Sequence, residues 1–248
     1  MKVFIICRFI LLSFSSCLNY LGNKIGVKNK IPKVTEISYL DHKVSFIAMK
    51  HLGKQEFYDS VKSLISDFKN RGFVIYAESV TKEVNGEIIT DTIYAKKLRS
   101  LLGVDITLTY DSMKNTIIDA MIEKFKLVGQ PSYTNLGAVN YQIVDVPYAD
   151  LIDLYEEKYG KVILDSCDLK TSLGNSFNCK LAPKAQREIF KSKYILEERN
   201  RVISEIVRNS PYKKILLIYG ADHLKGIKNF LEGKNKQTDE TLIGHNKF

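Results

Sequence analysis

The stretch KILLIYGADHLKG, residues 214–226, decides how the rest of the chain folds. Its apolar run, 215–219, is short and unbroken, the pattern of a strand buried on both faces. Gly220 ends the run and His223 follows. Ile227, Phe230 and Leu231 then recur at helical spacing up to Gly233. The stretch predicts a strand, a tight turn and a helix, with His223 at the junction. Further back, VSFIAMKHLG (44–53) has the same order of features: apolar run, His51, then a helix. That helix, over 54–71, carries Phe57, Tyr58, Val61, Leu64, Ile65 and Phe68 on one face, and Gly72 supplies its left-handed stop. The run 73–77 reads as the next buried strand, and Glu78 ends it.

Strand, helix and strand make a βαβ unit, whose right-handed crossover brings both strand ends to one edge of a sheet. His51 and Glu78 are therefore expected to face one crevice, where open α/β sheets bind their ligands. Strand and helix signals alternate through the remaining sequence. VTKEV, Asn85-Gly86 and EIIT predict a hairpin, because both turn residues of that type need positive φ. Helices are predicted over 92–102, around 113–125, from Pro147 to Gly160, and over 183–208. Weaker strand signals fall at 104–109, 138–144, 161–164 and 241–243. The class is α/β, with largely parallel strands and flanking helices. The two strand-to-histidine junctions hint at a duplicated half.

The long helix 183–208 has an apparent apolar stripe of Ile195, Arg199, Val202 and Ile206. A guanidinium on such a stripe requires an anionic partner or ligand, the alternatives being a structural ion pair or a stripe rotated by one residue. Glu198 and Asn200 flank it.

The 248 residues are enough for one sizeable core, and 45% hydrophobic with 26% charged residues is ordinary globular composition. No stretch reaches the roughly 20 apolar residues of a membrane-spanning helix. Residues 1–17, with Lys2, Arg8, an apolar run and Ser15-Ser16-Cys17, read as an export signal. Its end resembles a loose lipobox, which would make Cys17 a lipidated residue. The alternatives are a plain signal peptide and a buried N-terminal strand. Residues 18–40 read as a tether with an entry strand, and 41–248 as the domain. Of the net charge of +9, Lys2 and Arg8 contribute two, leaving +7 on scattered lysines without a nucleic-acid motif. A solvated basic surface, beside an anionic envelope or lipid, accounts for that charge.

Cys167 and Cys179 enclose a loop-like segment and, in an exported chain, predict one disulfide. The absence of CxxC spacing argues against a cysteine metal site. Of the four histidines, His42 and His245 lie in polar surroundings and read as surface residues. His51, His223 and Glu78 suit a divalent cation with an open position for water. They equally suit a metal-free site with an imidazole base oriented by a carboxylate. Arg199 would then stabilise an oxyanion, and Asp222 would orient a histidine.

Gly220-Ala221-Asp222-His223-Leu224, followed by Gly226-Ile227, resembles the second G-x-x-H motif of the TraB/GumN (PrgY, Tiki) family. Glu198-Arg199-Asn200 resembles its RN signature, and the strand ending in Glu78 resembles its acidic strand. His51 matches the first G-x-x-H histidine, with Ala48 in place of glycine. The likeness covers about 44–80 and 195–233. It implies an α/β fold of two pseudo-symmetric halves around a shared crevice, within a superfamily that includes erythromycin-esterase-like and ChaN-like proteins. It implies a metal-dependent, peptidase-like hydrolase, which with the export signal of residues 1–17 is expected in the periplasm or outer envelope. His51, Glu78, Arg199 and His223 would be its catalytic residues, with Mn²⁺, Co²⁺ or Zn²⁺ as cofactor and a peptide or small molecule as substrate. The alternative is a non-catalytic protein sequestering a peptide or haem in the same crevice.

Overall fold

The computed structural model describes residues 29–84, 87–89, 91–106, 116–175 and 177–234. The export signal with Cys17, residues 18–28 of the tether, His245 and the strand expected at 241–243 lie outside the described residues. A mixed five-stranded sheet forms the centre, in the order β1 (Val34–Tyr39), β2 (His42–Met49), β9 (Lys214–Gly220), β4 (Val74–Ala77) and β8 (Gln142–Ile143). Only β1 runs antiparallel to its neighbour. β1 places Ile37 in the core at 1% exposure, so the folded unit begins inside the 18–40 segment.

β9 is the central strand, and residues 215 to 219 are fully buried. Their alternation divides the core in two. Ile215, Leu217 and Tyr219 pack with Ile203, Val207 and Ile227 on one face. Leu216 and Ile218 pack on the other with Phe57, Tyr58, Val61 and Ile65 of α1 (Gln55–Asn70). Each of these large apolar side chains contributes about 1.5–3 kcal/mol on burial. α1 occupies the predicted span, and Gly72 follows it at φ +80°. β9 lies between β2 and β4, so the strands of the predicted βαβ unit are parallel but not adjacent.

Two small two-stranded sheets and four helices follow outside the central sheet. β3 (Leu52–Gly53) pairs with β7 (Val128–Gly129), and β5 (Lys82–Val84) pairs with β6 (Glu87–Ile89) as the Asn-Gly hairpin requires. α2 (Thr92–Leu102) begins at Asp91, whose carboxylate accepts the amides of Ile93 and Tyr94, an N-cap. α3 (Thr116–Phe125), α4 (Tyr148–Tyr159) and α5 (Ser166–Lys170) follow.

The long helix is continuous from Lys184 to Arg208 but not uniform. α6 (Lys184–Ile189) passes into a π-helix (Phe190–Glu198) and then α7 (Arg199–Arg208). The wider π turns shift the phase of the helix. The inward face of α7 is Arg199, Asn200, Ile203, Ser204 and Val207, and Ile206 is exposed. The expected stripe is correct at Arg199 and wrong at Ile206. α8 (His223–Leu231) packs on α7 and ends the described chain.

Among the described residues the weak strand signals are met only at Gln142–Ile143. Residues 104–106 are not in a strand, and 107–109 lie outside the described residues. In 138–144 only Gln142–Ile143 pairs, because the Ala138 and Val139 amides bond back to Tyr133 and Gly137. At 161–164 the Val162 amide donates to the Glu156 carboxylate instead of to a neighbouring strand. His42 is not a surface residue. It is 7% exposed, with Nε2 3.2 Å from the Ser210 carbonyl.

Candidate active site at the C-terminal sheet edge

Glu78 is the residue immediately after β4, in the position where a parallel sheet presents side chains to a crevice. Its Oε1 accepts from Arg199 Nη2 at 2.7 Å, and its Oε2 accepts the Gly220 amide at 2.6 Å. His223 Nε2 lies 3.5 Å from Oε1. Burial alone would push this carboxyl up. The contact with His223, the Arg199 guanidinium and the Gly220 amide outweigh burial and hold it well below the usual carboxylate range.

Arg199 is 3% exposed and almost fully used. Nε and Nη2 donate to the two oxygens of Asp145 at 2.8 and 2.7 Å, and Nη1 reaches the Ile195 carbonyl at 3.3 Å. Burial acts against its charge, but Asp145 and then Glu78 hold it protonated. With one N–H left over, it is better suited to fixing carboxylates than to meeting an oxyanion. Asp145 also accepts the amides of Ser79 and Val146. Asp145 is not among the candidate residues read from the sequence. The signal that could have found it is an acid after a strand, as at Glu78, but β8 is two residues long and exposed.

His223 is 4% exposed at the first turn of α8. Its Nδ1 is 2.7 Å from Asn200 Oδ1. With Oδ1 as acceptor, Nδ1 carries the proton, and Nε2 is the nitrogen turned to Glu78. α7 and α8 come so close here that a Cβ on Gly226 would overlap the Asn200 amide. The ring of Tyr219 packs edge-on to His223 at 6.2 Å, and its hydroxyl donates to the Val144 carbonyl. Tyr133 closes the opposite side, donating to the Glu78 main-chain carbonyl at 2.9 Å. Burial, then the Glu78 charge, pushes its phenol up.

The remaining expected residues stand apart. Glu198 pairs with Arg201 at 2.6 Å. Asp222 is exposed, and Asn200 rather than Asp222 holds Nδ1 of His223. His51 is exposed in a bend after β2, with its carbonyl accepting the Gln130 amide. The sheet register explains its separation. Gly220 pairs with Met49, and Ala48 pairs with Tyr219. The two motif positions, Ala48 and Gly220, are thus one residue out of step and face opposite sides of the sheet.

The consequence for a cation is direct. Among the described residues, the three-donor set with all ligand atoms within 4.8 Å of one another is Asp165, Cys167 and Cys179, not His51, Glu78 and His223. Glu78 and His223 supply two donors, one short of the usual protein set for a catalytic zinc.

The chain matches no protein-family model, no curated protein and no solved structure.

Arg199→Met leaves Asp145 and Glu78 buried without their cation, and urea unfolding should show a loss of about 3–5 kcal/mol. Gly226→Ala should cost about 1–3 kcal/mol by overpacking, and should shift the His223 ring resonances in an NMR spectrum as Asn200 is displaced. The Glu78 carboxyl is depressed in the folded state, so its stabilisation is complete above its ordinary value of 4.5 and is lost as pH falls below that. Glu78→Gln should flatten the acid limb of the stability curve by up to about 1.4 kcal/mol per pH unit.

Proposed function

We propose that this chain is an exported hydrolase of the TraB/GumN type, acting on peptides, with His223 as general base and Glu78 as its charged partner. The observation that carries this reading is the convergence of Glu78, His223 and Arg199 from three separate elements at the C-terminal edge of the sheet. A carboxylate held far below its ordinary range stays charged but accepts protons weakly. Glu78 therefore suits the role of stabilising the imidazolium once Nε2 of His223 has taken a proton. Water would lose that proton to Nε2 as its oxygen bonds to the substrate carbonyl carbon. The same proton would then pass to the departing amine. Asn200 sets the ring, and Arg199 with Asp145 sets the carboxylate. With two donors in reach, no step of this scheme runs through a cation.

The finer architecture, two pseudo-symmetric halves sharing one crevice, belongs to the same proposal, and the one-residue offset at Ala48 is what it has to accommodate. Envelope localisation and a lipid anchor at Cys17 rest on residues 1–17. One observation favours a second reading. Glu78 keeps 16% of its side chain exposed while His223 and Arg199 are nearly covered, which also suits a crevice that holds a peptide without cleaving it.

Turnover of a peptide and ester library by the purified chain separates the two. The expected result is hydrolysis that survives a chelator and drops by about 10²–10⁴ in kcat/KM in His223→Ala. Tight peptide binding without turnover, with or without Mn²⁺, Co²⁺ or Zn²⁺, favours the binding reading. Loss of activity on chelation with recovery on adding one of these ions would bring a cation into the mechanism. Full activity in His223→Ala would sink the site.

A further inference from the structure

Cys167 and Cys179 are joined as the expected disulfide, and the nearness of their sulfurs is that bond, not a cation site. The outer strand of the central sheet carries more. The two edges of this sheet are built differently. β8, at one end, is two residues long. β1, at the other, has six residues, and its register with β2 is unbroken from Val34 to Tyr39. Natural edges are kept from pairing by shortness, a bulge, a proline or a lysine in the strand. VTEISY has none of these, and its one charge is Glu36.

Hairpin geometry decides which main-chain groups line that edge. Leu40 and Asp41 alone join β1 to β2, with Leu40 at φ +47°. The residues flanking a two-residue turn, Tyr39 and His42, exchange hydrogen bonds, and the exchange recurs at every second residue. The Ala48 amide, donating to the Lys33 carbonyl at 3.1 Å, has the same phase. Lys33, Thr35, Ile37 and Tyr39 therefore turn their main-chain groups to β2. Val34, Glu36 and Ser38 turn theirs away from it. Side chains follow the same alternation. Ile37 and Tyr39 pack on the face covered by α7 and α8, whereas Val34, Glu36 and Ser38 are exposed.

We propose that β1 is an interface through which two copies of this chain join their sheets, antiparallel across a two-fold axis. Opposed residues must share a face of the sheet, and outward-turned residues must oppose one another to form the hydrogen bonds. Centred on Glu36, the pair sets that carboxylate against its own copy. Centred on Thr35, it sets Ser38 against Pro32, which has no N–H. Centred on Ile37, it sets Glu36 opposite Ser38, Val34 beside Leu40 and Lys33 beside Asp41. This last register is complementary in both apolar surface and charge. Val34 is 36% exposed and Leu40 85%. Asp41 already pairs with Lys213 of its own chain at 2.8 Å, and Lys33 of the second copy joins that pair. A pairing this short buries less than the roughly 1,200 Å² of a standard interface, so the dimer is reversible and builds up with concentration.

Sedimentation velocity of the full chain over a concentration series is the test. The expected result is a monomer–dimer equilibrium. Val34→Lys, which puts a lysine on the edge, and Ser38→Pro, which removes an outward N–H and no bond to β2, should both shift it to monomer while far-UV circular dichroism is unchanged. Oxidation of a mixture of Glu36→Cys and Ser38→Cys chains reads the register. Opposed Cα atoms about 5.5 Å apart suit a disulfide, so the mixture should cross-link in excess of either variant alone. A chain that stays monomeric throughout the series overturns the proposal. So does a dimer untouched by Val34→Lys and Ser38→Pro in chains that keep their fold, or cross-linking no greater in the mixture. A chain that dimerises only after residues 235–248 are removed has its own tail on the edge, and this outcome too overturns the pairing.

Discussion

The guanidinium of Arg199, held between Asp145 and Glu78, is the interaction on which this end of the molecule depends. It joins the end of β4, the segment after β8 and the first residue of α7. None of the three can shift without exposing a buried charge to an apolar surrounding. Such pairs are weak sources of net stability, since their desolvation opposes their attraction. What this pair supplies is position. Each carboxylate oxygen of Asp145 is matched to one guanidinium nitrogen, and the nitrogen shared with Glu78 aims that carboxylate toward His223. The π-helix contributes by an indirect route. Its altered bonding leaves the Ile195 carbonyl within reach of Nη1, so a local departure from α geometry helps to anchor the arginine.

Much of the fold was legible because burial imposes a period on the sequence. β9 is an unbroken apolar run since both of its faces are covered, and α1 shows its stripe since one face is. Arg199 could be recognised as inward because a charge stood where the period called for an apolar residue. The failures share a cause. β8 is too short and too exposed to carry a period, so Asp145 at its end was invisible as a site residue. Ile206 was misplaced because the inward face of α7 is centred near Ile203 and Val207, which puts Arg199 at its edge and Ile206, seven residues on, just outside it. His42 was misread because its burial comes from the Ser210 loop, 168 residues away along the chain.

His51 is the more instructive case. A motif counts residues along one strand, whereas a site is assembled by pairing between strands. The spacing from Ala48 to His51 equals that from Gly220 to His223, which made the two histidines look equivalent. The register sets Met49 beside Gly220, and one residue of offset in a parallel pair exchanges the faces of the sheet. Equal spacing therefore delivers one histidine into a covered cluster and the other to solvent.

Packing and chemistry meet at Gly226. The separation of α7 and α8 is small enough that Asn200 occupies the space a side chain would fill. Ser204 reinforces the contact, bonding to the Asn200 carbonyl at 2.7 Å and reaching the Ile227 carbonyl at 3.5 Å. Ile203, Val207 and Ile227 bury the apolar remainder of the same interface. The direction in which His223 presents Nε2 is consequently set by how closely two helices pack, not by the turn that carries the histidine. Glu78 meets the ring from the sheet, anchored to Gly220 and Arg199 independently of the helix pair. The distance between imidazole and carboxylate is then the difference between two separately fixed positions. At 3.5 Å that distance is too long for a strong hydrogen bond, and it leaves Nε2 able to share its lone pair with a third group entering from the crevice.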